Sequence, residues 1–322
     1  MNWKVFDLHC DTVMALIDRN LESGRMLLRN EGHIDLERAA ALDGYAQCFA
    51  IFTCPSHGEW FGCPVTEVFE RAYGNFCREL DRNSDRIAQA RSPEEIRQND
   101  ARGKMSAIFT LEGPAGIDYD PARLEELYRR GLRMSTLGWN EQNVLCGSNQ
   151  TGGGLTDLGR EYVRECQRLG ILVDVSHLSE QGFWDIMEMT EAPVIATHSN
   201  ARAVCNQPRN LTDEMYRAIC QTGGTAGINL YSEFLGDGEV ELDQVVRHIS
   251  HFLELDPSGT HLSLGGDLDG CSDLPRGFTG IDCYNALGDR LVESGLDQDT
   301  VQRIFWTNAM GVMDRAVRNH QK

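Results

Sequence analysis

Short apolar runs rich in β-branched and aromatic residues recur along the chain at 4–8, 46–52, 105–111, 132–136, 171–175, 193–197, 224–229 and 261–265, and each has the length of a strand rather than a helix. Between them, apolar positions three and four apart predict helices over 65–81, 121–130, 156–169, 179–190, 212–222 and 242–255. Local chemistry supports several helix starts. Ser92 precedes Pro93 at a first helical position, Asp120 precedes Pro121, and Thr212 is followed by Asp213 and Glu214 in the first turn. Several of the strands are nearly continuous in apolar residues, as a parallel sheet covered on both faces requires. Eight such strands alternating with helices predict an α/β fold, a (β/α)8 TIM barrel, with a doubly wound open sheet as the alternative. No Pro-, Gly- or Ser-rich linker, low-complexity tract or internal repeat interrupts the pattern, so 1–322 reads as one domain.

Charge narrows the partners. A formal charge of −19 over 322 residues leaves no basic face to displace counterions, which argues against nucleic acid and anionic membrane. No stretch of 18 apolar residues is present, and residues 1–9 run straight into a strand without a basic region followed by a long apolar one. The expectation is a cytoplasmic protein. The eleven cysteines contain no C-x-x-C pair, so reduced thiols are expected rather than a zinc knuckle. Residues 147–154 are glycine-rich but lack the closing Gly-Lys-Ser/Thr of a phosphate loop, and read as a mobile loop near the mouth of a site.

The chemistry lies in where His and acidic residues fall. His9 and Asp11 follow the first strand, Glu112 the third, His177 the fifth, His198 the sixth and Asp267 the eighth. In a barrel these positions share one rim, the C-terminal face, where active sites of this architecture sit. His33, His57, His248, His251, His261 and His320 do not fall at strand ends, and most of them are expected at the surface or in packing. The His-x-Asp spacing of His9 and Asp11 puts both side chains on one face of an extended segment, and Cys10 on the other. Imidazole and carboxylate together suit Zn2+ or a related divalent metal. Five donors, His9, Asp11, Glu112, His177 and His198, exceed one open tetrahedral site and suit two metals sharing a carboxylate, with Glu112 as the natural bridge. Glycine at 113 would let the chain turn directly after it. Two such metals would lower the pKa of a bound water and polarise a carbonyl or phosphoryl oxygen, and Asp267 then fits the role of proton carrier. Asp269 alternates away and reads as structural.

At these residues the sequence resembles the membrane (renal) dipeptidase family of the amidohydrolase superfamily. The likeness runs in order through Asp7-Leu8-His9-Cys10-Asp11-Thr12, Leu111-Glu112-Gly113, Asp174-Val175-Ser176-His177, Thr197-His198-Ser199, Arg209-Asn210 and Gly265-Gly266-Asp267-Leu268-Asp269-Gly270. The resemblance implies a (β/α)8 barrel with a binuclear zinc site bridged by a glutamate, hydrolysis of dipeptides that often tolerates a D-residue at the C-terminal position, and a homodimer. It also implies that Arg209 takes the substrate's terminal carboxylate, which suits a planar guanidinium. One position departs from the family. Many members carry after the fourth strand a histidine that steadies the tetrahedral oxyanion; here that place is filled by Trp139 of Leu137-Gly138-Trp139-Asn140, and indole offers a single donor. Asn140 or Asn143 is the candidate replacement donor, and Phe61, Trp139 and Tyr231 are candidate pocket residues. The alternatives are another amidohydrolase activity on the same scaffold, toward a non-peptide amide, lactam or ester, and a catalytically silent metal-binding relative.

Overall fold

A computed structural model of the protein describes residues 1–20 and 24–320. Nine strands run in chain order as β1 (Lys4–Cys10), β2 (Gly44–Phe52), β3 (Ile87–Gln89), β4 (Met105–Glu112), β5 (Leu132–Thr136), β6 (Leu172–Asp174), β7 (Val194–Ala196), β8 (Thr225–Ile228) and β9 (Leu262–Leu264). All their pairings are parallel. The order β2-β1-β9-β8-β7-β6-β5-β4 is closed by pairing of β2 with β4, which makes an eight-stranded barrel and excludes the open sheet. The extra strand, β3, was not foreseen. It pairs with Met105–Ala107 at the start of β4 and leaves the rest of that edge, from Phe109 onward, to β5. Three residues carry too little periodicity to announce a strand.

The helices begin where their capping chemistry places them. Ser92 accepts from the Glu95 amide at 3.2 Å and Thr212 from the Met215 amide at 3.2 Å, each satisfying one orphan donor of the first turn. Asp120 caps as well, but a 3-10 turn over Pro121–Arg123 precedes the α-helix Leu124–Arg130, so the predicted 121–130 segment is two elements.

Two apolar layers result. Phe6, Leu8, Ala46, Cys48, Ile108, Met134, Leu172 and Ile195 form one buried cluster. Cys48 Sγ meets Met134 Sδ at 3.7 Å although β4 separates their strands, which places this cluster inside the barrel. Ala309, Met310, Val312 and Met313 of the C-terminal helix Asn308–His320 close it below. A larger cluster, including Val194, Ala196, Ala226 and Ile228, lies between strands and helices. With the lower lumen filled by hydrocarbon, polar side chains gather at the C-terminal rim. One irregularity matters there. Between Asp7 and Cys10 of β1 the register advances three residues while β2 advances two, from Gln47 to Phe49. This bulge re-aims His9 relative to Phe6 and Leu8 below it. No helix among the described residues is long and apolar enough to cross a membrane.

Candidate metal centre and substrate cleft

His9 and Glu112 are among the last residues of β1 and β4, inside the strands rather than after them, while Asp11, His177, His198 and Asp267 follow β1, β6, β7 and β9. All six converge. Glu112 stands at the centre: its Oε2 lies 3.4 Å from His9 Nε2 and its Oε1 3.1 Å from His177 Nε2 and 3.9 Å from His198 Nε2. Asp11 Oδ2 is 3.5 Å from His9 Nε2 and Asp267 Oδ1 is 3.9 Å from it. Three overlapping sets result, namely His9, Asp11 and Glu112; Glu112, His177 and His198; and His9, His198 and Asp267, with donor atoms inside each set within 4.8 Å of one another.

The rim is held in shape by its backbone. His177 and Asp267 have φ of 69° and 58°, a left-handed conformation that non-glycine residues seldom adopt and that tends to mark functional sites. Gly113, with φ 71°, turns the chain directly after Glu112, and a side chain there would strike the Thr53 carbonyl. Asp269 also has positive φ, 66°, but accepts from Thr12 Oγ1 at 2.7 Å and from the His33 amide at 2.6 Å, binding the loop after β9 to the start of the chain.

The donor chemistry fits bound cations. His9 Nε2 and Asp11 Oδ1 are buried and make no hydrogen bond. His177 Nε2 and His198 Nε2 approach to 2.9 Å, an arrangement suited to two lone pairs sharing a cation. Burial, with Arg209 adding to it, lowers His177 to about 4, and burial drives His198 well below its ordinary value, so both imidazoles are neutral, as ligation requires. Burial opposes charge on His9, yet Glu112 and Asp11 outweigh it and raise its pKa well above the usual value. Burial would raise Glu112, but the charge of His9 and the close approach of His177 hold it below the ordinary carboxylate range. Asp11 is raised by burial and by Glu112. Asp267 is pushed up to about 7, chiefly by burial, with His9 opposing the shift and Asp11 and Glu112 adding to it. A crowd of buried carboxylates with so little opposing charge is stabilised by cations.

A second ring of residues orients these groups. His198 Nδ1 meets Thr197 Oγ1 at 2.7 Å, and that hydroxyl donates to Asp174, which also accepts from the Ser176 and Thr197 amides at 2.9 Å. Asp267 Oδ2 accepts from Asn229 Nδ2 at 3.0 Å, and His177 Nδ1 meets Asn140 Oδ1 at 2.9 Å. These partners were not read from the sequence as such. The only available signal for Asn229 was a polar residue ending an apolar run. Cys10 lies with the apolar core rather than in any of the three ligand sets.

Two adjoining cavities open over the centre. The larger, about 740 Å³, is lined by Asn149, Gln150, Arg209, Tyr231 and Phe234 among others; the smaller, about 220 Å³, by Asp11, Met14, Phe52 and Glu112. Trp139, His177, Asp267 and Gly270 border both. Arg209 is buried; it donates to Ser199 Oγ at 3.0 Å and the His198 carbonyl at 3.1 Å, and its Nε has no partner. Trp139 packs on Phe52, ring centres 5.1 Å apart. Tyr231 lines the larger cavity as expected, whereas Phe61 packs on His57 instead. Asn143 is committed to its own loop: it donates to the Leu137 carbonyl and accepts from the Leu145 and Cys146 amides. The 147–154 loop does reach the mouth, where the Asn149 amide donates to the His177 carbonyl at 2.9 Å. Away from the centre, His248 and His57 are buried in packing, His251 meets Asp213 and His261 the Gly224 carbonyl; the His320 side chain lies outside the described residues.

A closed parallel barrel with imidazoles and carboxylates gathered at its C-terminal rim defines a metal-dependent hydrolase of the TIM-barrel type. Comparison with known proteins carries this further. Residues 1–322 match the family described as membrane dipeptidase, peptidase family M19. A metallopeptidase from Rhodobacter sphaeroides, solved with a phosphinate mimic of the dipeptide L-Ala-D-Ala, is 28% identical and superposes with a TM-score of 0.87 over 98% of this chain and 100% of its own. Dipeptidase AC, a metallopeptidase of family M19, is also 28% identical, with a TM-score of 0.86 over 98% of this chain and 99% of its own. An uncharacterised protein from the pqqA 5′ region of Klebsiella pneumoniae is 34% identical over 65% of this chain and 81% of its length. The chain belongs to the membrane dipeptidase family and is a metallo-dipeptidase, a hydrolase acting on peptide bonds.

Proposed function

We propose that the chain binds two Zn2+ ions and hydrolyses dipeptides, including those of the L-Xaa-D-Xaa type. The observation that carries this reading is Glu112, whose two oxygens face separate ligand sets: Oε2 toward His9, and Oε1 toward His177 and His198. His9 and Asp11 would hold one cation, His177 and His198 the other, and Glu112 both. Bound there, the cations would activate water at neutral pH and polarise the scissile carbonyl.

The remaining roles belong to side chains. Asp267 keeps Oδ2 on Asn229 and leaves Oδ1 directed at the centre; Oδ1 takes the proton of the attacking water and returns it to the departing amine nitrogen. Buried Arg209 has an unpartnered Nε, which a substrate's terminal carboxylate would satisfy. Trp139 and Asn140, at the lip of the cleft, contact the substrate backbone, the indole N–H and the Asn140 amide being the donors available near the oxyanion. The L-Ala-D-Ala mimic held by the Rhodobacter sphaeroides enzyme supports the L,D class. A homodimer is part of the proposal, and sedimentation velocity would read it.

The test is a panel of L,L and L,D dipeptides with free and amidated C-termini. Cleavage of free dipeptides with a drop of about 10²-fold on amidation supports both the substrate class and Arg209. Turnover indifferent to the terminal carboxylate, or confined to lactams or esters, would replace this reading with another amidohydrolase activity.

A further inference from the structure

His177 differs from the other candidate ligands in how it is supported. His198 is held from within the barrel, its Nδ1 on Thr197 Oγ1 and that hydroxyl on the buried Asp174 carboxylate. His177 stands just beyond β6 in a left-handed conformation, φ 69°, on the side of the centre that borders both cavities. Its carbonyl is taken by the backbone amide of Asn149 at 2.9 Å and the Asn149 side-chain amide at 3.2 Å. Those contacts fix its backbone but do not reach its ring. One polar atom touches the far side of that ring, Asn140 Oδ1, 2.9 Å from Nδ1. Asn140 is itself anchored, since its carbonyl accepts from Ser148 Oγ at 2.7 Å.

We propose that Asn140 is a positioning residue for His177, its side-chain oxygen taking the Nδ1 proton so that the Nε2 lone pair is presented to the cation beside Glu112. The inference rests on the ligand role of His177 in the reading above. The tautomer follows from the geometry. Nε2 lies 2.9 Å from His198 Nε2 and 3.1 Å from Glu112 Oε1, and a ligating Nε2 must carry a lone pair, which leaves the single proton of neutral imidazole on Nδ1. A proton on Nδ1 needs an acceptor, so the oxygen of the Asn140 amide, not its nitrogen, faces the ring. An outer acceptor of this kind raises ligand basicity and locks ring orientation. Asn140 borders the larger cavity as well, so the side-chain amide not used by His177 is the part left to a substrate. The ligand on the β6 side is thereby tied to the Trp139–Asn140 segment at the cleft.

The experiment uses the full-length protein loaded with Zn2+ and, separately, with Co2+. Asn140→Leu removes the acceptor at similar volume, and Asn140→Asp keeps an acceptor at the same place. Competition against a chromophoric chelator should show one metal equivalent bound about 10–100-fold more weakly in Asn140→Leu, with the other unchanged. The visible spectrum of its Co2+ form should shift. Asn140→Asp should hold both metals as tightly as the parent, or more tightly. If Asn140→Leu binds both metals with parental affinity and spectrum while KM for a dipeptide rises, Asn140 serves the substrate alone and the proposal is overturned. Loss of affinity in Asn140→Asp overturns it too, because the acceptor is still present, and this arm stands even if the leucine variant does not fold. A parent protein that binds no metal would overturn the two-metal reading itself, a result distinct from either.

Discussion

At the scale of single residues, the proposed division of labour predicts separable losses. Asp267→Asn leaves every proposed ligand in place and removes only the proton acceptor, so kcat should fall by about 10²–10⁴-fold with metal content unchanged; a variant with parental kcat would remove Asp267 from the reaction. Arg209→Lys keeps charge but loses the planar fork. Its kcat/KM should fall by about 10²-fold on free dipeptides and little on amidated ones, and equal losses on both would point to a structural role. His248 gives a pH prediction away from the centre. It is fully buried, its Nδ1 accepts from the Ala201 amide at 3.1 Å and its Nε2 meets the Leu235 carbonyl at 3.0 Å. Burial lowers its pKa to about 4 from 6.5. The unfolded chain therefore takes up this proton first as pH falls, so the contribution of His248 is intact above pH 6.5 and is lost progressively down to about pH 4. On the order of 3 kcal/mol is involved. Urea unfolding of His248→Gln beside the parent should show that the variant lacks this part of the acid sensitivity; identical pH profiles would contradict it. The proposed ligands were legible because each is a strand-end residue, a relation that a strand pattern exposes. Asn140 meets His177 across the rim, and Asp174 reaches His198 only through the Thr197 hydroxyl, contacts that no local spacing encodes.

At the scale of elements, the apolar runs located all eight barrel strands because a sheet buried on both faces must be continuously apolar. What they could not show is the short β3 and the bulge in β1, since neither alters the run of apolar residues. The bulge nonetheless decides where His9 points. Caps were visible because a hydroxyl or carboxylate before a helix satisfies a specific amide. Ser92→Ala should lower unfolding free energy by about 1 kcal/mol with activity intact, and an unchanged urea midpoint would mean that the Ser92–Glu95 bond adds nothing. Gly113 joins element to site. Its φ of 71° and its contact with the Thr53 carbonyl exclude a side chain, so Gly113→Ala should destabilise the fold by roughly 1–3 kcal/mol and weaken metal binding through displacement of Glu112. Retention of both would show that the strand end can relax without moving its carboxylate.

At the scale of the whole molecule, residues from the ends of β1, β4, β6, β7 and β9 meet around one carboxylate, so the metal centre couples parts of the chain that the barrel alone keeps together through hydrogen bonds and packing. Ligands that bind only the folded state stabilise it, and chelation should lower the thermal midpoint as well as abolish turnover. Metal content of the purified protein, taken with hydrolysis of L-Ala-D-Ala before chelation, after it, and after Zn2+ is returned, tests the two-metal centre most directly. A two-metal centre should give about two metals per chain, with activity lost with them and restored with Zn2+. Full activity in metal-free protein would contradict it.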